Sequence, residues 1–477
     1  MPSLFILIPI FGIIILNLPL GKLMKRCAFW YAFVLFSLQI ILAIFHNPFF
    51  WSGAMEAIST FFSVKFTIDY LGFLMLLSIG IVCMSSLIVS RYAITNEDER
   101  FNFINLLIIA SIGMCGIVMV KDVFSLYVLL EVTAVASFIL IAFDKGKHAL
   151  EGAFKYIVLS TIATIMMLSS IALLILVAGS TSFSSIAVAL KASEPNIIVS
   201  LAVVLFLCAL FIKGGVVPFH GWVPDAYSTA PAPASVLLAG IITKVCGIYT
   251  LIVLVTSVFG FSEAIKTVCL VTGTLSILVG AFAALGQNNF NRLLAYSSIS
   301  QIGYIVLGLG TGTALGIAGA AFHIFNHAIF KSQLFVNAAA VRVATGTKDM
   351  DEMGGLSAKM PVTSATSVIA MLSACGMPPL AGFWSKLIII VALWRSGHLA
   401  YGVIAVLASI VTLAYMLSMQ RRVFFGKIAP GLEDVKEANF GFSAISIVLS
   451  AITITAGAFF PAIFNKFLMP LAEVFLH

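Results

Sequence analysis

Five lysines, Lys155, Lys213, Lys244, Lys331 and Lys386, fall within or at the edge of strongly apolar stretches, where a charge is costly. Glu131, in Val123-Phe124-Ser125-Leu126-Tyr127-Val128-Leu129-Leu130-Glu131-Val132, is the one acidic residue deep inside such a stretch. An ionised carboxylate at membrane depth costs at least about 3 kcal/mol, so it takes up a proton or finds a cation. Lys213, midway along the chain, is its natural partner. Either the pair is static and only fixes helix packing, or its strength changes as a proton arrives or leaves. Weakening it would help expel the lysine's proton. Lys244 stands on the next span and could pass protons on from Lys213. Two nearby cations repel, so at least one is neutral part of the time, which suits a relay better than a brace.

His323, His327 and Lys331 stand at i, i+4 and i+8. That spacing stacks them on one helix face about 6 Å apart, a gap that one or two waters bridge. A lone histidine in an apolar helix is more often a satisfied core residue. Three titratable groups in register favour a proton relay. His323 and His327 could hold zinc, but no third ligand with suitable spacing is visible, so we expect no metal. Lys386 ends the row. Ser297 and Gln301 make their span locally polar, either to hold water or to glue helices together. His220 and Asp225 flank Pro218 and Pro224; they either guard one mouth of a path or stabilise a loop by hydrogen bonding.

The elements that position these groups are membrane helices. Of 477 residues, 61% are hydrophobic and 9% charged, and the mean hydropathy of +1.14 excludes a soluble fold. Apolar runs recur from Leu4 almost to the C-terminus, with no polar stretch able to fold separately, so we expect a single membrane domain over 1–477. The first run lacks a basic leader and a small-residue cleavage site, which reads as a retained helix rather than a signal peptide. A net charge of +7 and a pI near 9.0 would suit nucleic acid, but the basic residues are scattered between spans. The seven cysteines show no CxxC pair and read as buried structural thiols, with no iron–sulfur centre or disulfide.

We predict an all-α protein of about fourteen spans, at 4–20, 28–45, 66–90, 103–120, 123–143, 155–178, 197–217, 231–256, 264–285, 293–311, 314–341, 361–390, 399–421 and 441–462. Loops after odd-numbered spans hold about fifteen Lys and Arg, the others about six, which puts both termini on the outer side. The seventh and twelfth spans are broken by proline, at Pro218 and at Pro378-Pro379, each near a lysine. Membrane-depth backbone tolerates such breaks only inside protein or beside a wet cavity. The two broken spans lie five positions apart, an odd number, so they run oppositely, the sign of inverted repeats. The units are expected at spans four to eight (101–260) and nine to thirteen (261–425), with 1–100 and 426–477 outside. Lys386 is then the expected counterpart of Lys213.

The stretch Lys213 to Lys244, with His220-Gly221-Trp222-Val223-Pro224-Asp225-Ala226 and Ala230-Pro231-Ala232-Pro233-Ala234-Ser235, resembles the antiporter-like subunits of respiratory complex I. Those share a fold with large subunits of Mrp-type sodium/proton antiporters and with membrane subunits of energy-converting hydrogenases. Leu294 to Tyr304, His327-Ala328-Ile329-Phe330-Lys331 and Gly382-Phe383-Trp384-Ser385-Lys386 also match, and the resemblance covers roughly 65 to 425. It implies fourteen helices, two inverted half-channels and a polar axis. Glu131 and Lys213 would be the pair, Lys244 the connecting lysine, His323, His327 and Lys331 the relay, and Lys386 the exit. The chain ends soon after the last span, so the lateral helix of one complex I subunit is not expected. The implied protein moves protons, or protons against sodium, across a bacterial or archaeal inner membrane within a larger complex, and is no catalyst alone. Its partners would be related membrane subunits and a peripheral redox arm with iron–sulfur clusters and flavin or nickel; the chain itself would hold no cofactor and bind no nucleic acid. An Mrp assembly without redox partner, a non-conducting structural subunit and an organic-solute transporter are the alternatives.

Overall fold

The computed structural model describes residues 2–19, 22–46, 57–61, 64–192, 194 and 196–474. In chain order the elements begin with α1 (Leu4–Leu16), α2 (Lys22–Phe45), a hairpin of β1 (Ala57–Phe61) and β2 (Val64–Ile68), α3 (Tyr70–Ala93), α4 (Glu97–Met119), α5 (Val123–Ile141) and α6 (Lys147–Ala178). Then come α7 (Phe183–Ala192), α8 (Ile197–Gly214), α9 (Trp222–Thr229), α10 (Ala232–Phe259), α11 (Glu263–Leu285), α12 (Phe290–Gly310) and α13 (Ala314–Thr345). The chain closes with α14 (Pro361–Cys375), α15 (Ala381–Arg395), α16 (Leu399–Val423), α17 (Phe440–Ala458) and short helical turns over 460–474.

Asparagine and aspartate open many of these helices. Asp69, Asn96, Asp122, Asn196 and Asn289 each accept a first-turn backbone N–H, satisfying donors that lipid cannot. Among the described residues eleven helices are long and apolar enough to cross a membrane, so the chain is a multi-pass, all-helical membrane protein. At 32 residues α13 is long enough but is not one of the eleven. It carries His323, Asn326, His327, Lys331, Gln333 and Asn337, and every residue from Gly316 to Val341 is buried. Protein, not lipid, is its solvent. α3, α10, α12 and α13 form the inner layer, whereas α2, α6 and α16 turn large apolar side chains such as Phe154, Leu176 and Ile410 outward.

Several expectations need correction. The hairpin pairs Ala57 with Ile68 through Phe61 with Val64, so β2 takes up the first residues of the span predicted from 66. The sequence reading has no counterpart for the helices α7 and α9, because each is a short amphipathic or proline-flanked piece. The predicted span 361–390 is two helices, α14 and α15, parted by Gly376 to Leu380. The predicted end of the first span at residue 20 lies outside the described residues. All seven cysteines are free, but Cys27 is exposed and Cys208 only half-buried, so not all are core thiols. Apart from these corrections, the helix α3 is buried along nearly its whole length and packs between α10, α13 and α17.

Candidate functional site

α5 presents Glu131 to α8, and its Oε1 accepts from Lys213 Nζ at 3.0 Å. α6 completes the shell with two hydroxyls one turn apart. Thr164 Oγ1 donates to Glu131 Oε1 at 2.7 Å, and Lys213 Nζ reaches Ser160 Oγ at 3.5 Å. The Lys213 side chain is 5% exposed but that of Glu131 is 28% exposed, on a helix whose Phe124, Val128 and Val135 face outward. The expected pair therefore forms, at the outer wall of the bundle rather than at its centre. Lipid cannot hydrate a carboxylate, so this edge of the pair calls for cover by another polar surface. Sequence reading missed Ser160 and Thr164; their i, i+4 spacing inside an apolar run was the available signal.

The other basic groups gather around α13. Lys244, Lys331, His323 and His327 are fully buried and Lys386 nearly so, and the described residues include no buried Asp or Glu. Lys244, on a π-helical turn of α10, donates to its own helix at the Ala239 carbonyl. Lys331 donates to Leu294 O at 2.9 Å and Ser297 Oγ at 2.8 Å on α12, and Tyr415 of α16 donates to the same Ser297 hydroxyl at 3.0 Å. Lys386, on α15, donates to Ala374 O at 2.7 Å and sits 4.4 Å from the centre of the Tyr304 ring. His323 Nδ1 pairs with Ser385 Oγ at 2.8 Å, and the His323 and His327 rings stack with centroids 6.2 Å apart. His327 lies in the field of Lys244, Lys331, His323 and Lys386 together. The predicted row thus closes up in space.

This cluster also holds the densest set of polar atoms with no protein partner: Ser300 Oγ, both ends of Gln301, His323 Nε2, both nitrogens of His327, and Trp384 Nε1. Each such group costs about 1–3 kcal/mol if left dry. Water is the natural occupant, which favours the wet reading of Gln301 over the packing one. Lys244 and Cys246 point to opposite faces of α10, and Cys246 is the one in the field of Lys213 and Glu131. Lys213 and Lys244 therefore lie on opposite sides of α10, and any path between them would have to pass around it.

The two candidate mouth residues separate. Asp225 accepts from Lys155 Nζ at 2.7 Å and Arg292 Nη1 at 2.6 Å, and Lys155 also bonds Glu151 at 2.8 Å. That network ties α6 and α12 to α9, so Asp225 is a clamp, and Lys155 belongs to it rather than to the row. Lys348 adds a bond to Ser228 O at 2.7 Å. Burial brings the Lys348 ammonium down to about 8. His220 is half-buried with an unpartnered Nδ1.

The two breaks share one hydrogen-bond pattern. Gly215 N–H bonds Ile212 O and Val216 N–H bonds Phe211 O; Gly376 N–H bonds Ser373 O and Met377 N–H bonds Leu372 O. Both glycines are left-handed, at φ of +66° and +81°. Aligning them sets Lys213 opposite Ala374 and Lys386 opposite Asp225, so the two lysines are not counterparts by position. The Lys386 side chain reaches back across its break and its ammonium bonds the carbonyl of Ala374, the residue aligned with Lys213.

Comparison with known proteins places the chain. The family described as NADH:quinone oxidoreductase/Mrp antiporter, TM, matches residues 120–412. The chain is 32% identical over 400 residues to a Na(+)/H(+) antiporter subunit of Alkalihalophilus pseudofirmus, covering 83% of this chain and 80% of that protein. It is 34% identical over 336 residues to an NADH-quinone oxidoreductase subunit of Desulforudis audaxviator, covering 70% and 67%. In fold it overlays a chain of the Mrp complex from Dietzia sp. with a TM-score of 0.91 at 22% identity, covering 100% and 97%.

Proposed function

Because the chain belongs to the NADH:quinone oxidoreductase/Mrp antiporter family of membrane subunits, we propose that it is a proton-translocating, antiporter-like subunit of a multi-subunit membrane complex. The observation that carries this is the basic cluster around α13, buried with no buried carboxylate and bordered by one carboxylate–ammonium pair. Like charges this close couple strongly: a proton added at one site raises the cost of the next, so occupancy moves rather than accumulates. Changing the Glu131–Lys213 pair changes the field on Lys213, and its proton is then passed to Lys244, to Lys331 with His327 and His323, and out from Lys386. Waters at the unpartnered atoms of Ser300, Gln301 and the histidines link these sites.

An inverted-repeat reading goes with two half-paths. Taking α1, α13 and the α14–α15 pair as spans beside the eleven apolar helices of the described residues supports a reading of fourteen. Besides the matching breaks, Asp122 pairs with Ser182 as Asn289 pairs with Asp349, and each pairing stands at the start of a helix, α5 or α12. The reading is of units at 101–260 and 261–425, with 1–100 and 426–477 outside them, both termini on the outer side of the cell's inner membrane.

In the redox-driven version, partner subunits holding iron–sulfur clusters, with flavin or nickel in a peripheral arm, supply the energy. The likeness to the Alkalihalophilus subunit favours a second version, Na+/H+ exchange in an assembly without redox partner. Purifying the tagged protein with its neighbours from native membranes and assaying iron, nickel and flavin separates them: iron–sulfur content supports the first, a metal-free set of small membrane proteins the second. Recovery of the chain alone removes both. In the intact complex, unchanged ion pumping after Lys213→Ala or Lys386→Ala makes this a structural subunit instead.

A further inference from the structure

A second polar seam lies outside the row just described. On α13, Gln333 and Asn337 stand one turn apart on a face turned to α14 and α17. Gln333 Nε2 donates to Thr366 O at 2.7 Å and Ser450 Oγ at 2.5 Å. Asn337 Oδ1 accepts from Ser446 Oγ at 2.8 Å and Thr366 Oγ1 at 3.4 Å. Gln420 of α16 donates to Ser367 Oγ at 2.7 Å, beside Thr366. At the surface end, Glu437 accepts from Thr363 Oγ1 at 2.6 Å and Val362 N at 2.7 Å, and Thr366 Oγ1 bonds Thr363 O at 3.1 Å.

Interhelical glue does not account for this set. Gln333 Oε1, Asn337 Nδ2 and Gln420 Oε1 are buried with no partner, on residues at most 1% exposed. Turning an amide over exchanges which end is empty without filling it. Glue that leaves half of each amide unsatisfied costs about 1–3 kcal/mol per group, whereas water entering from the Glu437 end satisfies all three. The depths agree: α14 and α17 start, and α13 ends, at the face bearing Lys348, Lys359, Arg421, Arg422, Lys427 and Lys436. Gln333 lies roughly 18 Å in from the end of α13 at 1.5 Å per residue, level with Lys331.

We propose that this seam between α13, α14 and α17 is a water-filled access route, opening at Glu437 on the Lys/Arg-rich face and ending at Gln333, at the depth of Lys331 but on the opposite face of α13. It draws on α17, which lies outside both repeat units. Its use by protons rests on the function proposed above; its hydration does not.

Cysteine accessibility tests it in the intact complex. Ser446→Cys and Ser450→Cys are near-isosteric, and Ser78→Cys on α3, equally buried, is the control. Each is built in a parent carrying Cys27→Ser and Cys208→Ala and treated in sealed vesicles with a small cationic methanethiosulfonate. Labelling of Cys at 446 and 450 at least tenfold faster than at 78, and only from the Glu437 face, is expected. Rates equal to the control, or labelling only from the opposite face, overturn the route. Where labelling is fast, an Asn337→Leu, Gln333→Leu double variant should slow ion transport several-fold with assembly intact, and unaltered transport would overturn the seam's part in it. A complex that labels but moves no ions even unmutated sinks the transport reading alone.

Discussion

Glu131 shows what one residue contributes here. Its charge offsets Lys213, and its partly exposed edge places the pair at the bundle wall. Glu131→Gln keeps the shape and the Thr164 contact but leaves Lys213 without its anion. We expect proton transport, read as quenching of a pH dye in vesicles, to fall at least tenfold while the subunit still assembles; normal rates would mark the pair as a brace. Thr164→Val removes one hydrogen bond to the carboxylate, and a loss of a few-fold is expected in the same assay. The relay spacing of His323, His327 and Lys331 was legible from sequence because i, i+4 neighbours stay neighbours in any helix. Ser160 and Thr164 showed only their spacing, and Tyr304 no signal of its own, because their roles depend on which helices pack together.

Among the elements, the broken helices matter most. Gly376 holds φ +81°, and a Cβ there would stand 3.1 Å from Lys386 Cδ. Gly376→Ala should cost about 1–2 kcal/mol in the left-handed region and displace the lysine, seen as a melting point lowered by several degrees and reduced transport in the detergent-purified and reconstituted complex. Gly247 brings α10 onto α8: a Cβ would collide with Gly214 Cα, and backbone cannot step aside. Gly247→Ala is expected to push α8 and its Lys213 off α10, abolishing recovery of the assembled complex. Proline and lysine marked both breaks in the sequence. Their register did not show, since only the hydrogen-bond pattern pairs Gly215 with Gly376.

For the whole molecule, α9 is a tie between distant stretches of chain, held by Lys155 of α6, by Arg292 of α12 and by Lys348 after α13. Asp225→Asn should weaken both ion pairs and lower the melting point with little change in composition of the complex. Lys348 adds a pH dependence. Its folded value of about 8 lies below the ordinary 10.5. Between those values the unfolded chain binds the proton that the folded chain has released, so stability rises with pH from about 8 to 10.5 and is lowest below 8. The gain is on the order of 1–3 kcal/mol. Melting curves from about pH 7 to 10 should show it, and Lys348→Met should flatten them.

Sequence alone determined that this chain crosses a membrane many times, which spans are broken, and that lysines and histidines stand inside its apolar stretches. Lipid imposes that accounting residue by residue: every apolar run must be long enough, and every charge inside one stands out against its surroundings. Tertiary structure decided that Glu131 sits at the wall, that Asp225 is a clamp, that Lys386 reaches back across its break, and that Gln333 and Asn337 open a second seam. These depend on which face each helix turns to which neighbour. Spans apolar on nearly every side carry little record of that choice, because the packing of one helix against another settles it.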